Sequence, residues 1–489
     1  MQQTAEQPAL KRELGLLDST MIVAGSMIGS GIFIVTADIA RTVGSPGYIL
    51  GIWLLTGVIT LIAALSYGEL AGMMPKAGGQ YVYLKEAYNP LVGFLFGWTV
   101  FMVIQSGVIA AVAIAFAKFT GVLLPQYISD TLILADLGIL KFSSQQALAI
   151  LLIATLTYIN LQGVKNAKIV QTTFTLAKLL ALLGLIVLGV YFGLNSGVFA
   201  QNLENFWIPF RTVAKPGGIG VSTEALSGMV LFGAMGAAMV GSLFSSDAWN
   251  SITYTAGEVK DPQRNIPLSL FFGTLIVTVL YVLANVAYLM LLPIKGSPEG
   301  LDVLSRGIMF ATDDRVGTAA IATIFGSAAV SIMAVLIMIS TFGCNNGLIL
   351  SGARLYHAMA QDGVFFKKAG TLNKNNVPGF ALIIQGVWAS LLCLSGTYGD
   401  LLDYCTFSSL LFYMVTIIGL FVLRYKQPHA TRPYKAFGYP VLPALYILIA
   451  GAICVDLLIY KADTCGRGLV IVLIGIPIYY LWKRANKEN

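Results

Sequence analysis

Gly25-Ser26-Met27-Ile28-Gly29-Ser30-Gly31-Ile32-Phe33 sits in the middle of an otherwise apolar run covering residues 17–40. Each glycine weakens a helix by about 1 kcal/mol relative to alanine, so three of them close together make unwinding cheap. The competing reading is close helix packing, since Gly25 and Gly29 form a small-xxx-small pair. Ser30-Gly31 extends the cluster past what packing needs. A second interruption, Phe244-Ser245-Ser246-Asp247-Ala248-Trp249-Asn250, falls inside the apolar run 225–255. Ser, Asp and Asn favour helix caps over helix interiors, so this stretch reads as a helix end, a short gap and a new start. A carboxylate in hydrocarbon costs roughly 2.5–3.5 kcal/mol on insertion scales, so Asp247 must be capped, paired or wet. If Asp247 merely caps the second half-helix, a break is still implied.

Around these two stretches the chain is that of a membrane protein. Of 489 residues, 57% are apolar and 11% charged. A soluble protein carries about 25% charged residues. Mean hydropathy is +0.79. Apolar runs of 18 or more residues recur from end to end, each long enough to cross a core of roughly 30 Å. Twelve helical spans are predicted, at 17–40, 48–71, 89–117, 147–163, 169–193, 225–255, 268–293, 318–345, 378–395, 402–423, 441–461 and 468–484. Only helices and closed barrels satisfy backbone groups in lipid, and these runs are too long and too evenly apolar for barrel strands. No cleavable leader is expected, because the first 13 residues are polar and the first apolar run lacks a small-residue cleavage site.

Basic residues set the orientation. With the amino terminus inside, 19 of the 30 Lys and Arg residues fall in inner segments and ten in outer ones, leaving Lys178 within a span. That bias predicts two cytoplasmic termini. The net charge of +7 is thereby read as topology, not as nucleic-acid binding. Cys344, Cys393, Cys405, Cys454 and Cys465 form no metal-type pair and read as small packing residues. His357 and His429 are placed in cytoplasmic loops, His357 as a solvated side chain on a short amphipathic stretch. An enzyme would need clustered His, Cys or paired carboxylates, and none are evident. No P-loop appears, and nothing calls for a cofactor or a metal.

Interrupted segments at matching positions of two halves point to a secondary transporter with a mid-membrane site. Half-helix N-termini present N–H groups and partial positive charge to a carboxylate. Carbonyls freed at the other half-helix ends accept hydrogen bonds from an ammonium. An α-amino acid carries both groups on one carbon. Lys178 lies about nine residues into the fifth span, roughly 14 Å from its end. An ionisable residue at that depth is a functional candidate by default, for coupling or for holding the broken first span. A purely structural lysine, satisfied by the exposed carbonyls of span 1, is the plainer reading.

The motifs together resemble the amino acid–polyamine–organocation superfamily, and within it the L-type amino-acid transporters and their bacterial relatives. The glycine-serine cluster with Ile32-Phe33 is similar to the first-helix motif. Ser66-Tyr67-Gly68-Glu69-Leu70, Pro75 and Gly78-Gly79-Gln80-Tyr81-Val82-Tyr83 resemble the signature between spans 2 and 3. Gly257-Glu258-Val259-Lys260-Asp261-Pro262-Gln263-Arg264-Asn265-Ile266-Pro267 resembles the loop after span 6. Phe342-Gly343-Cys344-Asn345-Asn346-Gly347, Ser351 and Arg354 resemble span 8.

The resemblance implies an all-α, LeuT-type fold, a 5+5 inverted repeat with helices 1 and 6 broken, plus two extra helices. The corresponding segments are an inner stretch 1–16, a first repeat 17–193, an outer loop 194–224, a second repeat 225–423, an inner loop 424–440, spans 11 and 12 at 441–484, and a tail 485–489. It implies that Ser26, Met27, Ser30 and Gly31 meet the substrate carboxylate. Phe244 matches an aromatic gate, and its carbonyl and that of Ser245 match groups that meet the ammonium. Asp247 and Asn250 stand in the span 6 gap. Many family members have Gly where Asp247 stands, and some exchangers carry Asp. Lys178 matches a lysine bridging spans 1 and 8 where sodium sits in sodium-coupled relatives, with Ser340 its span 8 partner. Mammalian light chains join a glycoprotein through a cysteine between spans 3 and 4; this chain has none there, so no disulfide-linked heavy subunit is expected.

The resulting expectation is an amino-acid permease of the plasma (inner) membrane, carrying neutral L-amino acids by sodium-independent exchange. Proton-coupled or exchange transport of cationic amino acids or polyamines, favoured by Asp247, is the alternative. An amino-acid sensor without net transport is the alternative of another class.

Overall fold

The computed structural model describes residues 12–136, 141–214, 221–394 and 398–485. Most of the expected inner stretch 1–16 and of the tail 485–489 lies outside the described residues, as do Lys11, Lys215 and Lys487 of the charge tally. Among the described residues, ten helices are long and apolar enough to cross a bilayer. Leu16–Met27 and Gly31–Val43, bent by 41° at their junction, make an eleventh span. The break falls inside the glycine-serine cluster. Ile28, just past the first half, has extended backbone (φ −76°, ψ 97°).

Span 2 is Pro46–Met73 and span 3 is Pro90–Leu123, with a wider π-helical turn at Val100–Ile104. Span 4 is Ser144–Leu161 and span 5 runs from Val164 to Gly193. Span 6 runs Gly228–Ser245, stops, and resumes as a single turn at Ser251–Tyr254. Span 7 is Pro262–Leu291. A 14-residue apolar helix, Gly379–Leu392, stands where span 9 is expected. Tyr398–Lys426, Val441–Tyr460 and Ala462–Ala485 stand where spans 10 to 12 are expected. Two short antiparallel hairpins, Ile133–Asp136 with Lys141–Ser143 and Phe210–Ala214 with Val221–Ala225, decorate the loops before spans 4 and 6.

The eighth span departs from expectation. The apolar window 318–345 straddles two elements, the short helix Val316–Phe325 and the 34-residue helix Ala328–Gln361, parted at Gly326 (φ +61°). The long helix runs well past Cys344, where Asn346 and Arg354 find partners inside the bundle. Asn346 Nδ2 donates to the Ala167 carbonyl at 3.1 Å, and Arg354 pairs with Glu258 at 3.1 Å, both side chains fully buried. Arg354 and His357 therefore belong to the helix, not to a cytoplasmic loop. His357 is buried, with Nδ1 3.0 Å from the Ala369 carbonyl, which corrects its reading as a solvated side chain.

Spans 1, 5, 6, 7 and 8 meet around the first break. Glycines set the separations. A side chain at Gly25 would run into Thr175 and Gln171 of span 5, and one at Gly31 into Ser245 of span 6. The cluster thus packs closely as well as unwinding, so the two sequence readings are both realised. The far end of span 2 is bound through Glu69, which takes Arg424 at 2.6 Å, Arg432 at 3.1 Å and the Ala436 N–H at 2.7 Å.

Candidate substrate site

Helix starts leave their first N–H groups without intrahelical partners. The Gly31–Val43 helix aims such a start at the end of Gly228–Ser245, with no side chain on Gly31 to hold the two apart. The carbonyls on the other side of the break are already engaged. Lys178 Nζ donates to the Gly25 carbonyl and, at 2.6 Å, to that of Ile28; the Ser340 carbonyl is 3.4 Å away. Ser340 Oγ lies 3.2 Å from the Ile28 carbonyl and 3.1 Å from that of Gly29. The Cys344 thiol reaches the Ser26 carbonyl at 3.0 Å. Spans 5 and 8 therefore supply the donors that an unwound span 1 lost, and Lys178 and Ser340 meet there.

Tyr281 of span 7 joins the two breaks. Its hydroxyl is 3.1 Å from the Met27 carbonyl and 3.1 Å from the Ser245 carbonyl, with its ring edge-on to Trp53. No periodicity or motif marks Tyr281 within its apolar run. Its role depends on the placement of three helices. The Phe244 carbonyl accepts the Asp247 N–H at 3.1 Å. A carbonyl oxygen has two lone pairs and can accept more than one hydrogen bond. Phe244 itself is buried.

Asp247 is buried in the gap of span 6, and its partners come from span 10. Tyr413 donates to Oδ1 at 2.5 Å and Ser409 to Oδ2 at 3.1 Å. The carboxylate is held by hydroxyls across the bundle, which replaces the reading of a simple cap on the next half-helix. Ala248 beside it takes φ +64°, a left-handed conformation costly for any residue with a Cβ, and so turns the chain within the gap. Asn250 is held in place by its amide, which donates to Gln80 Oε1 and to the Tyr254 hydroxyl, both at 2.9 Å. Gln80 belongs to the Gly78-Gly79-Gln80 motif, so that motif braces the break from the short helix Gln80–Ala87.

Two small cavities meet at Asp247. One is lined by Ile59, Thr60 and Ala63 of span 2 with Ser409 and Tyr413; the other by Phe96, Gln105 and Val108 of span 3 with Asn250 and Leu348. None of Ser26, Met27, Ser30 or Gly31 lines either cavity. Ser26 instead turns its hydroxyl toward span 8, close to Gly347, where it is buried without a hydrogen-bond partner among the described residues. The expected site residues thus fall into two groups. Met27, Gly31 and Ser245 gather at the Tyr281 bridge, and Asp247 and Asn250 gather at the span 10 cavities.

A family model described as amino acid permease matches residues 14–476. The chain belongs to the amino acid permease family. Among its relatives, the human large neutral amino acids transporter small subunit 2 is 32% identical over 98% of this chain and 82% of its own length. The Asc-type amino acid transporter 1 of Mus musculus is 29% identical over 99% and 84% of the two chains. The serine/threonine exchanger SteT of Bacillus subtilis is 28% identical over 98% of each. These relatives are transporters, not enzymes. The permease is a multi-pass membrane protein, and amino acids are what its family moves.

Proposed function

We propose that the permease carries neutral L-amino acids by alternating access, as a sodium-independent exchanger of the plasma (inner) membrane with both termini cytoplasmic. The observation that carries this reading is the Lys178 ammonium on the Gly25 and Ile28 carbonyls, backed by Ser340. A fixed cation already occupies the carbonyl nest where a coupling sodium would otherwise be held. Ser30 and Gly31, at the start of the second half-helix, would receive the substrate carboxylate. The Phe244 and Ser245 carbonyls would receive its ammonium, with Tyr281 yielding one acceptor. Met27 and Phe244 would close over the ligand.

In this reading the chain has twelve spans, with Gly379–Leu392 as the ninth, and spans 1–5 and 6–10 form the two inverted repeats. A disulfide-linked heavy subunit is not part of it. All five cysteines are buried thiols, and none lies between spans 3 and 4.

Asp247 supports a second reading. It is buried, and its partners are the hydroxyls of Ser409 and Tyr413; no ion pair among the described residues includes it. A cationic amino acid or polyamine could bring the charge it lacks. Uptake into liposomes separates the readings, using a panel of amino acids with internal substrate, sodium and pH varied in turn. Neutral exchange predicts uptake stimulated by internal neutral amino acid and unchanged when choline replaces sodium. A sodium requirement would contradict it. Uptake of cationic substrates alone would shift the assignment to Asp247 chemistry, and binding without flux would indicate a sensor.

A further inference from the structure

Asp456 lies on span 11, ten residues and about 15 Å along the helix from Tyr446, which lines one of the Asp247 cavities. It lines a separate groove between spans 2, 6 and 11, together with Leu55, Phe232, Met239, Ile449 and Ile453. The groove has a volume of about 190 Å³. The residue is 8% exposed, and its Oδ2 is buried without a hydrogen-bond partner among the described residues. No ion pair among them includes it. Gly236 of span 6 faces it, and any side chain there would run into the carboxylate, so Oδ2 sits directly against that glycine.

A buried carboxylate without a partner is costly and marks a site by default. The mouth of the groove faces away from the bundle. Phe232 on its rim is 58% exposed, and apart from the carboxylate the walls are apolar. What reaches it comes from the hydrocarbon phase. Asp456 is four residues, about 6 Å, from the end of its helix, and so near the end of its span. Oδ2 needs a hydrogen-bond donor as well as a positive charge. A primary ammonium supplies both, and a quaternary choline has no N–H to give.

We infer that this groove binds an aminophospholipid, phosphatidylethanolamine, with its ammonium on Asp456 and an acyl chain along Phe232, Met239 and Ile453. The test is lipid retention by the full-length permease, extracted in mild detergent from vesicles of equal phosphatidylethanolamine, phosphatidylcholine and phosphatidylglycerol. Co-purifying lipid is measured by mass spectrometry. The wild type should enrich phosphatidylethanolamine about fivefold over phosphatidylcholine. Asp456→Leu should return the ratio to that of the vesicles. Gly236→Leu, which keeps the carboxylate but drives a side chain against it, should do the same and decides the matter if Asp456→Leu fails to fold. Equal retention of the two lipids by the wild type, or enrichment that survives both variants, overturns the assignment. Displacement of no phosphatidylethanolamine by dodecylamine, while dodecylamine itself binds, overturns the lipid as the source of the ammonium.

Discussion

The Tyr413 hydroxyl lies 2.5 Å from Asp247 Oδ1 and 3.3 Å from Asn250 Oδ1, so one side chain of span 10 grips both ends of the gap in span 6. Hydrogen bonds to charged groups contribute about 1.5–3 kcal/mol. Tyr413→Phe should therefore lower thermal stability and substrate affinity together, affinity by roughly tenfold to a hundredfold. Binding and melting measurements on the purified protein check both. A variant unchanged in each would mean that the contact does no work.

Asp247→Asn keeps the shape of the side chain and removes its charge. Neutral-substrate binding should persist within a few-fold, while binding of any cationic substrate should fall. Competition assays with paired neutral and cationic amino acids decide it. Equal loss of both classes would leave Asp247 a structural residue and not a charge selector.

Lys178→Ala removes the donor to the Gly25 and Ile28 carbonyls. Each buried acceptor left alone costs about 1–3 kcal/mol. The loss should fall mainly on the transitions between inward- and outward-facing states. Flux should drop more than equilibrium substrate affinity, and Lys178→Arg should not restore it, because the guanidinium fork does not match a point contact. Unchanged flux would remove Lys178 from the mechanism.

Gly31→Val should abolish transport, since the new side chain meets Ser245 directly. Adding Ser245→Gly removes the obstructing atoms and should restore part of the activity. Uptake by the single and double variants at matched expression measures the rescue. If the double variant is no better than the single, the steric account of this contact fails.

Breaking a buried ion pair by removing one partner costs about 3–5 kcal/mol. Glu258 and Arg354 are both fully buried, and burial pulls the Glu258 carboxyl upward against the opposing pull of Arg354. Glu258→Ala should sharply lower expression and melting temperature. Glu258→Ala with Arg354→Met should recover a good part of both. Thermal melts of the three proteins provide the comparison.

Much of this was legible in the residues. Three glycines and two serines located the first break, and Asp247 the second, because a helix cannot cheaply carry that composition through hydrocarbon. Lys178 was conspicuous because a lone charge at that depth needs partners. Other members of the site gave no such signal. Tyr281, Ser409 and Tyr413 are ordinary residues of apolar runs, and Cys344 reads as packing. The eighth span was misplaced for a related reason. Asn346 and Arg354 lower the hydropathy of a stretch that is helical all the same, since Asn346 is met from span 5 and Arg354 by Glu258 in the loop after span 6.

The sequence by itself determined that the chain threads the membrane many times and where its helices must fail. Lipid offers no hydrogen bonds, so composition alone exposes every weak or charged turn. Only the tertiary structure decided how each failure is repaired: Lys178 and Ser340 on the carbonyls of span 1, Tyr281 across both breaks, Tyr413 and Ser409 on Asp247. Those partners stand on other helices, tens to hundreds of residues away. Hydrogen-bond geometry is fixed by which helices pack together, and a single chain's order of residues does not display that.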